Sequence, residues 1–199
     1  CLVHLKERTA EQRYLINLVR EYQKRNPNLT IGIITAGKQQ ADLCGSWLSS
    51  EGVEHERLQK DASYCVKKAG IKVLTAFAAK GLEFHCVILP MFEEGNYPLP
   101  FAGGDEEKRR QFELRMRNLL YVAMTRARTL LTITWSGANG SRFLQEMDPA
   151  LYRLEGLPLD LSGFSEMENN IERRSDLRLK TTGGTAAAVD WSRESTREV

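Results

Sequence analysis

An α/β fold built on a parallel sheet is predicted by three features of this chain. Apolar, β-branched runs at residues 31–34, 71–75, 86–89 and 130–135 are of the kind buried on both faces inside a sheet. Between several of them lie stretches whose apolar residues recur at helical spacing. Turn-forming clusters, Asn26-Pro27-Asn28, Ala36-Gly37 and the Gly- and Pro-rich 93–104, mark where one pattern gives way to the next. Strands alternating with helices in this way favour parallel pairing and a sheet covered on both faces.

Leu2–Leu5 reads as a first short strand. Thr9 can cap a helix whose Tyr14, Leu15, Leu18, Val19 and Tyr22 share one face, and Asn26-Pro27-Asn28 stops it. Residues 31–34 form the next strand, followed after Ala36-Gly37 by a helix through Leu43, Trp47 and Leu48 that ends near Gly52. Residues 53–58 suit a further strand, 61–70 a polar loop or short helix, and 71–75 and 86–89 two more strands, the latter closed by Pro90. A surface loop over 93–104 precedes a long helix that begins near Asp105 and reaches Arg128. Residues 130–135 are the last strong strand and 141–147 a short helix. The expected organisation is one domain over 1–150 and an extension over 151–199, charged and rich in small residues, that serves as a linker or docking tail.

A chain of 199 residues that is 42% hydrophobic can bury one good core. Its formal charge of +2 is too mild to identify a nucleic-acid partner, which must instead be argued locally. Cys1, Cys44, Cys65 and Cys86 form no C-x-x-C pair, and His4, His55 and His85 stand at no ligand spacing from them. That excludes a zinc framework and points to a reduced, cytoplasmic setting. No apolar run approaches the roughly 18 residues of a membrane span. Beginning at Cys1 rather than Met, the chain reads as a piece of a longer product.

Two stretches carry chemistry. In NLLYVAMTRAR (118–128), helical spacing gathers Phe112, Met116, Leu119, Leu120, Ala123 and Ala127 into an apolar sector, with Tyr121, Thr125, Arg117 and Arg128 opposite. Arg126 falls inside that sector. An arginine on a packed face either meets a carboxylate or emerges at a cleft where an anion arrives. The second stretch, TAFAAKGLEF (75–84), sits between two strands, so Lys80-Gly81 is expected on a loop at a strand's end, where parallel sheets place ligands. Gly81 allows close approach of an oxyanion, Lys80 adds charge, and Glu83 can accept hydrogen bonds from a sugar hydroxyl or orient a cation; an ordinary turn has the same composition. No G-x-x-x-x-G-K-[ST] phosphate loop is present.

TAFAAKGLEF followed about forty residues later by LLYVAMTRA resembles, in type, order and spacing, the last two motifs of the UvrD/Rep/PcrA-type superfamily 1 DNA helicases. IGIITAGKQQADLCGSWL is similar to the strand and helix that carry that family's fourth motif. VILPMFEEGNYP looks like the strand and E-E-G-x-x-P loop after the fifth, and SRFLQEM resembles its closing segment.

The resemblance implies a second RecA-like motor domain: a parallel sheet flanked by helices, without a phosphate loop of its own. It implies ATP and Mg²⁺ held mainly by an N-terminal RecA-like domain of the same protein, single-stranded DNA as a partner, and 3′→5′ movement. By motif position Arg126 is the arginine that reaches the γ-phosphate, Gly81 and Glu83 line phosphates and ribose, Lys80 supports their loop, and Thr75 starts the segment coupled to DNA. Tyr121 and Thr125 either position that arginine, meet a neighbouring domain or form an ordinary exposed face. Alone, the chain is expected to be inactive.

The departures concern DNA. Phe77 stands where the family has a DNA-contacting histidine, and it can stack on a base or pack in a core. Ala36 and Lys38 occupy positions often held by Arg and Asn, with Lys38 a candidate backbone contact. Residues 49–70 are too few for the accessory domain of larger relatives. The basic residues 108–117 are interleaved with acids, as on a solvated helix face. A degenerate, non-catalytic module for protein or DNA interaction is the rival expectation, with a protein partner for the tail.

Overall fold

The computed structural model describes residues 1–58 and 68–155. The anticipated loop or helix at 61–67 and most of the anticipated tail lie outside the described residues. Among the described residues seven strands hydrogen-bond into one sheet, and each of their pairings is parallel. They are β1 (Leu2–Leu5), β2 (Thr30–Thr35), β3 (His55–Arg57), β4 (Gly70–Thr75), β5 (Phe84–Leu89), β6 (Ala127–Ser136) and β7 (Leu154–Glu155), in spatial order β3-β4-β2-β5-β6-β1-β7. Each residue of β2 is buried, as its β-branched composition requires of a strand with neighbours on both sides.

Among the described residues three α-helices lie in crossovers between strands: α1 (Arg8–Arg25), α2 (Lys38–Ser50) and α3 (Glu106–Met124). On one face of the sheet, Met116, Leu120 and Ala123 of α3 share a core with Ile34, Leu74, Phe84 and Val87. None of that core comes from α1 or α2, which pack on each other and on β2, β4 and β6 from the opposite face. Gly32 admits the Phe84 ring: a Cβ there would lie 2.7 Å from it.

Several boundaries differ from the sequence reading. Glu7, not Thr9, is the N-cap of α1, and the Thr9 hydroxyl donates back to the Glu7 carboxylate. The short helix expected over 141–147 is a 3₁₀ helix over 142–146, capped by the Ser141 hydroxyl. Leu43 of α2 is exposed, the buried stripe being Ala41, Cys44, Trp47 and Leu48. The long helix stops at Met124, and β6 begins at Ala127, so Arg126 lies between them instead of on the helix. The helix begins near Asp105 as expected, and the Asp105 side chain caps it, accepting the backbone N–H groups of Glu107 and Lys108.

Because all strands run one way, the sheet has a carboxyl edge and an amino edge. Thr35 pairs with Thr75 at the carboxyl edge, and Phe84 with Ala127 at the amino edge. Residues 76–83 therefore travel the height of the sheet, about 20 Å for six-residue strands. Ala76, Ala79 and Leu82 anchor that passage in the α3-side core.

Candidate functional site

The amino edge is assembled from the ends of α3 and β5. After Met124, the Thr125 N–H still bonds to the Tyr121 carbonyl at 3.0 Å and the Arg126 N–H to that of Ala123 at 3.2 Å. The Arg126 carbonyl then accepts the Phe84 N–H at 2.9 Å, which commits the chain to the sheet. The side chain of Arg126 is half-buried, and its guanidinium meets neutral oxygens. Nε donates to the Val122 carbonyl at 2.9 Å, Nη1 to the Leu82 carbonyl at 3.3 Å and Nη2 to the Thr125 hydroxyl at 3.2 Å. Among the described residues no carboxylate pairs with it. The cation is thus held in place while its charge remains uncompensated, the arrangement of a group waiting for an anion.

Leu82 belongs to the K-G-L-E stretch, so one hydrogen bond joins the two segments singled out in the sequence. Gly81 has φ +81° and nothing within 4 Å of where a Cβ would stand; the turn needs the glycine for its backbone conformation, and space beside it is open. Lys80 is exposed, with no ionic partner among the described residues. Glu83 is exposed and faces Arg128, Nε to Oε2 at 3.9 Å. An arginine fixed by neutral acceptors, a lysine and an open glycine turn form a donor set suited to a phosphate ester.

Gly81, Glu83 and Arg126 are brought together; Lys38, Thr75 and Phe77 are gathered elsewhere. Lys38 opens α2 immediately beyond β2, and Thr75 ends β4, its hydroxyl and carbonyl accepting the Ala78 N–H at 3.4 and 3.0 Å. Phe77 is 67% exposed, which corrects the core alternative: the turn presents its alanines to α3 and turns the ring outward. These three residues share the carboxyl edge. The placement of Lys80-Gly81 at a strand's carboxyl end is also corrected, since the passage has by then descended to the start of β5 beside Arg126.

Sequence reasoning missed a buried polar cluster. Glu11 is wholly buried, and its carboxylate accepts the Met91 N–H at 2.8 Å, the Thr134 hydroxyl at 2.6 Å and Arg8 Nη1 at 2.6 Å. Arg8 also pairs with Glu93, which takes Asn96 Nδ2, and Asn96 in turn accepts Gln40 Nε2 at 2.6 Å. This chain of contacts fastens the E-E-G-N-Y-P loop between α1 and α2. A signal existed, for Glu11 lies four and seven residues before Leu15 and Leu18, on their stripe.

Among the described residues no three His, Cys, Asp or Glu side chains cluster as metal ligands. Burial pushes the Cys86 thiol up to about 12 and the Cys44 thiol higher still, so neither is a nucleophile near neutral pH. No helix of the described residues is long and apolar enough to cross a membrane.

Residues 53–138 match the family model described as the UvrD-like helicase C-terminal domain. Over 84 residues, 41% of this chain, there is 38% identity to a protein named "Probable DNA helicase II homolog" from Rickettsia conorii and 37% to one named "DNA helicase II" from Rickettsia typhi. The matched stretch spans only 13% and 12% of those proteins. Among solved structures, the C-terminal domain of a possible DNA helicase from Lactobacillus plantarum WCFS1 is similar at a TM-score of 0.57 and 24% identity, covering 77% of this chain and 83% of that one. At that identity the likeness concerns the fold, a RecA-like parallel sheet flanked by helices.

Proposed function

We propose that the UvrD-like helicase C-terminal domain carried by this chain is the second motor domain of an ATP-dependent translocase or 3′→5′ helicase acting on single-stranded DNA. In this reading ATP and Mg²⁺ are held mainly by an N-terminal RecA-like domain of the same protein, and the amino edge described above closes over them. Bound there, the triphosphate supplies the phosphoryl group whose transfer to water drives closure and opening of the two domains.

Each residue then has a task. Arg126 spreads its charge over the γ-phosphoryl oxygens as negative charge develops, with Thr125 and the Val122 and Leu82 carbonyls setting its approach. Gly81 gives the phosphates an open turn and Lys80 adds charge beside it. Glu83 accepts hydrogen bonds from the ribose. On the opposite edge, Lys38 contacts the DNA backbone, Thr75 begins the coupled segment and Phe77 stacks on a base. Residues 76–83 run directly from the end of β4 at the DNA edge to the start of β5 at the nucleotide edge, so they can couple the two.

The observation that carries this reading is the half-buried Arg126 guanidinium, fastened to the K-G-L-E stretch and without an acidic partner among the described residues. In the longer protein, Arg126→Ala should lower DNA-stimulated ATP hydrolysis by at least about a hundredfold while nucleotide binding is largely kept. Turnover like that of the unaltered protein would remove Arg126 from this role. The isolated chain should show background hydrolysis only. An upstream reading frame with neither a phosphate loop nor an acidic Mg²⁺-binding pair would favour the non-catalytic interaction module instead.

A further inference from the structure

The ends of β1 and β6 leave two rings stacked at the carboxyl edge of the sheet. His4 and Trp135 are partners in the parallel ladder, so their side chains project from one face, two positions beyond Leu2 and Ile133 of the α3-side core. The ring planes are 11° apart and the centroids 5.1 Å. Trp135 is the inner ring: it packs on that core, and it lies so near Gly140 that a Cβ there would stand 3.1 Å from Nε1. His4 is the outer ring and is exposed. Its orientation is fixed, because Nε2 donates to the Gly137 carbonyl at 2.7 Å while the Gly137 N–H donates to the Leu5 carbonyl at 3.1 Å.

Charge at this corner favours an anionic polymer. Lys6 follows β1, is exposed and pairs with no carboxylate among the described residues. The acids of the adjoining loop are already engaged, Glu93 by Arg8 and Glu94 by Arg142. Glu7 is exposed, and its carboxylate accepts the Thr9 hydroxyl. An immobilised aromatic face beside a cation is the combination that holds single strands through their bases and backbone without reading sequence.

The position also suits a strand laid along the edge. Phe77 follows β4, and four strand spacings separate β4 from β1. That is about 19 Å, the length of about six stacked nucleotides. A strand crossing the carboxyl edge therefore finds an exposed ring towards each end of it, with Lys38 between them after β2.

We infer that His4, backed by Trp135, is a second base-stacking platform for single-stranded DNA, far along the carboxyl edge from Phe77, with Lys6 meeting the adjoining phosphate. This rests on the reading above in which that edge carries DNA.

The test measures anisotropy of labelled oligodeoxythymidine on this chain, unaltered and as His4→Ala, His4→Phe and Phe77→Ala. With an oligonucleotide of about twelve residues, His4→Ala should weaken binding about fivefold or more, and His4→Phe, which keeps a ring, should bind like the unaltered chain. As a readout that a structural role would not move, the same oligonucleotide carrying 5-iododeoxyuridine should photocrosslink to the tryptic peptide 1–6. If Phe77→Ala weakens binding while His4→Ala does not and peptide 1–6 takes no crosslink, the inference is overturned and the reading of the carboxyl edge stands. If neither substitution weakens binding, both fall. Equal losses in His4→Ala and His4→Phe without a crosslink would make the His4 contact with Gly137 a structural one and would also overturn it.

Discussion

Nη1 of Arg126 lies 3.3 Å from the carbonyl oxygen of Leu82, across 44 positions of sequence. The contact joins the end of a helix to the end of a crossover, and the backbone bond from the Phe84 N–H to the Arg126 carbonyl repeats the connection two residues after Leu82. The guanidinium cannot move without disturbing the glycine turn beside it. Its position is therefore set by oxygens of the protein itself.

A lysine should not replace that arginine. Arg126 reaches three oxygens with a planar fork, and an ammonium on a flexible stem cannot hold all three while addressing an anion. In the longer protein, kcat of Arg126→Lys at saturating DNA should fall by about a hundredfold or more, close to the alanine variant. Activity near that of the unaltered protein would mean that charge alone suffices.

Phe77 presents a ring that is 67% exposed, so Phe77→Ala should leave thermal unfolding of the chain unchanged. Affinity for oligodeoxythymidine, read by fluorescence anisotropy, should drop about tenfold or more, as for loss of one stacked base. Unchanged affinity would withdraw the stacking role.

Gly32→Ala places a methyl group 2.7 Å from the Phe84 ring at the centre of the sheet. The overpacking should cost about 1–3 kcal/mol in denaturant unfolding. Adding Phe84→Leu should recover part of the loss that the glycine change causes. Additive losses would show that the cost of the methyl group does not come from the Phe84 ring.

Glu11→Ala leaves the Met91 N–H and the Thr134 hydroxyl buried without their acceptor. The expected cost is about 3 kcal/mol, and Glu11→Gln, which keeps an acceptor oxygen, should cost less. Equal losses would assign the effect to charge instead of to hydrogen bonding.

His85 has its pKa lowered from 6.5, first by burial and then by Arg128. A histidine whose folded pKa lies below its unfolded value contributes stability above the unfolded pKa, and that contribution is lost as pH falls below it, because the unfolded chain takes up the proton. The unfolding midpoint should thus decline as pH is lowered from about 7.5 to about 5.5. His85→Asn, which retains an acceptor for the Thr30 N–H, should flatten the decline; a decline of unchanged slope would place the titration elsewhere.

The strands β2, β4 and β5 and the helices α1 and α2 were legible because burial on both faces, or on one stripe, leaves a periodic trace. The start of the long helix near Asp105 was legible, and the structure adds that the Asp105 side chain caps it. Glu11 shows the limit: its place on the apolar stripe was visible, but its partners at Met91 and Thr134 stand 80 and 123 positions away.

Arg126 was misplaced on the helix for a related reason. Helical spacing of apolar residues continues through Ala127, and nothing nearby in sequence announces that the Phe84 N–H, on another strand, will claim the Arg126 carbonyl. Residue types and spacing by themselves determined the parallel α/β class and the family that 75–84 and 118–128 resemble. Only the tertiary structure decided that Arg126 and Glu83 share the amino edge while Lys38, Thr75 and Phe77 share the other, because strand order and direction arise from pairings between distant segments that no local pattern encodes.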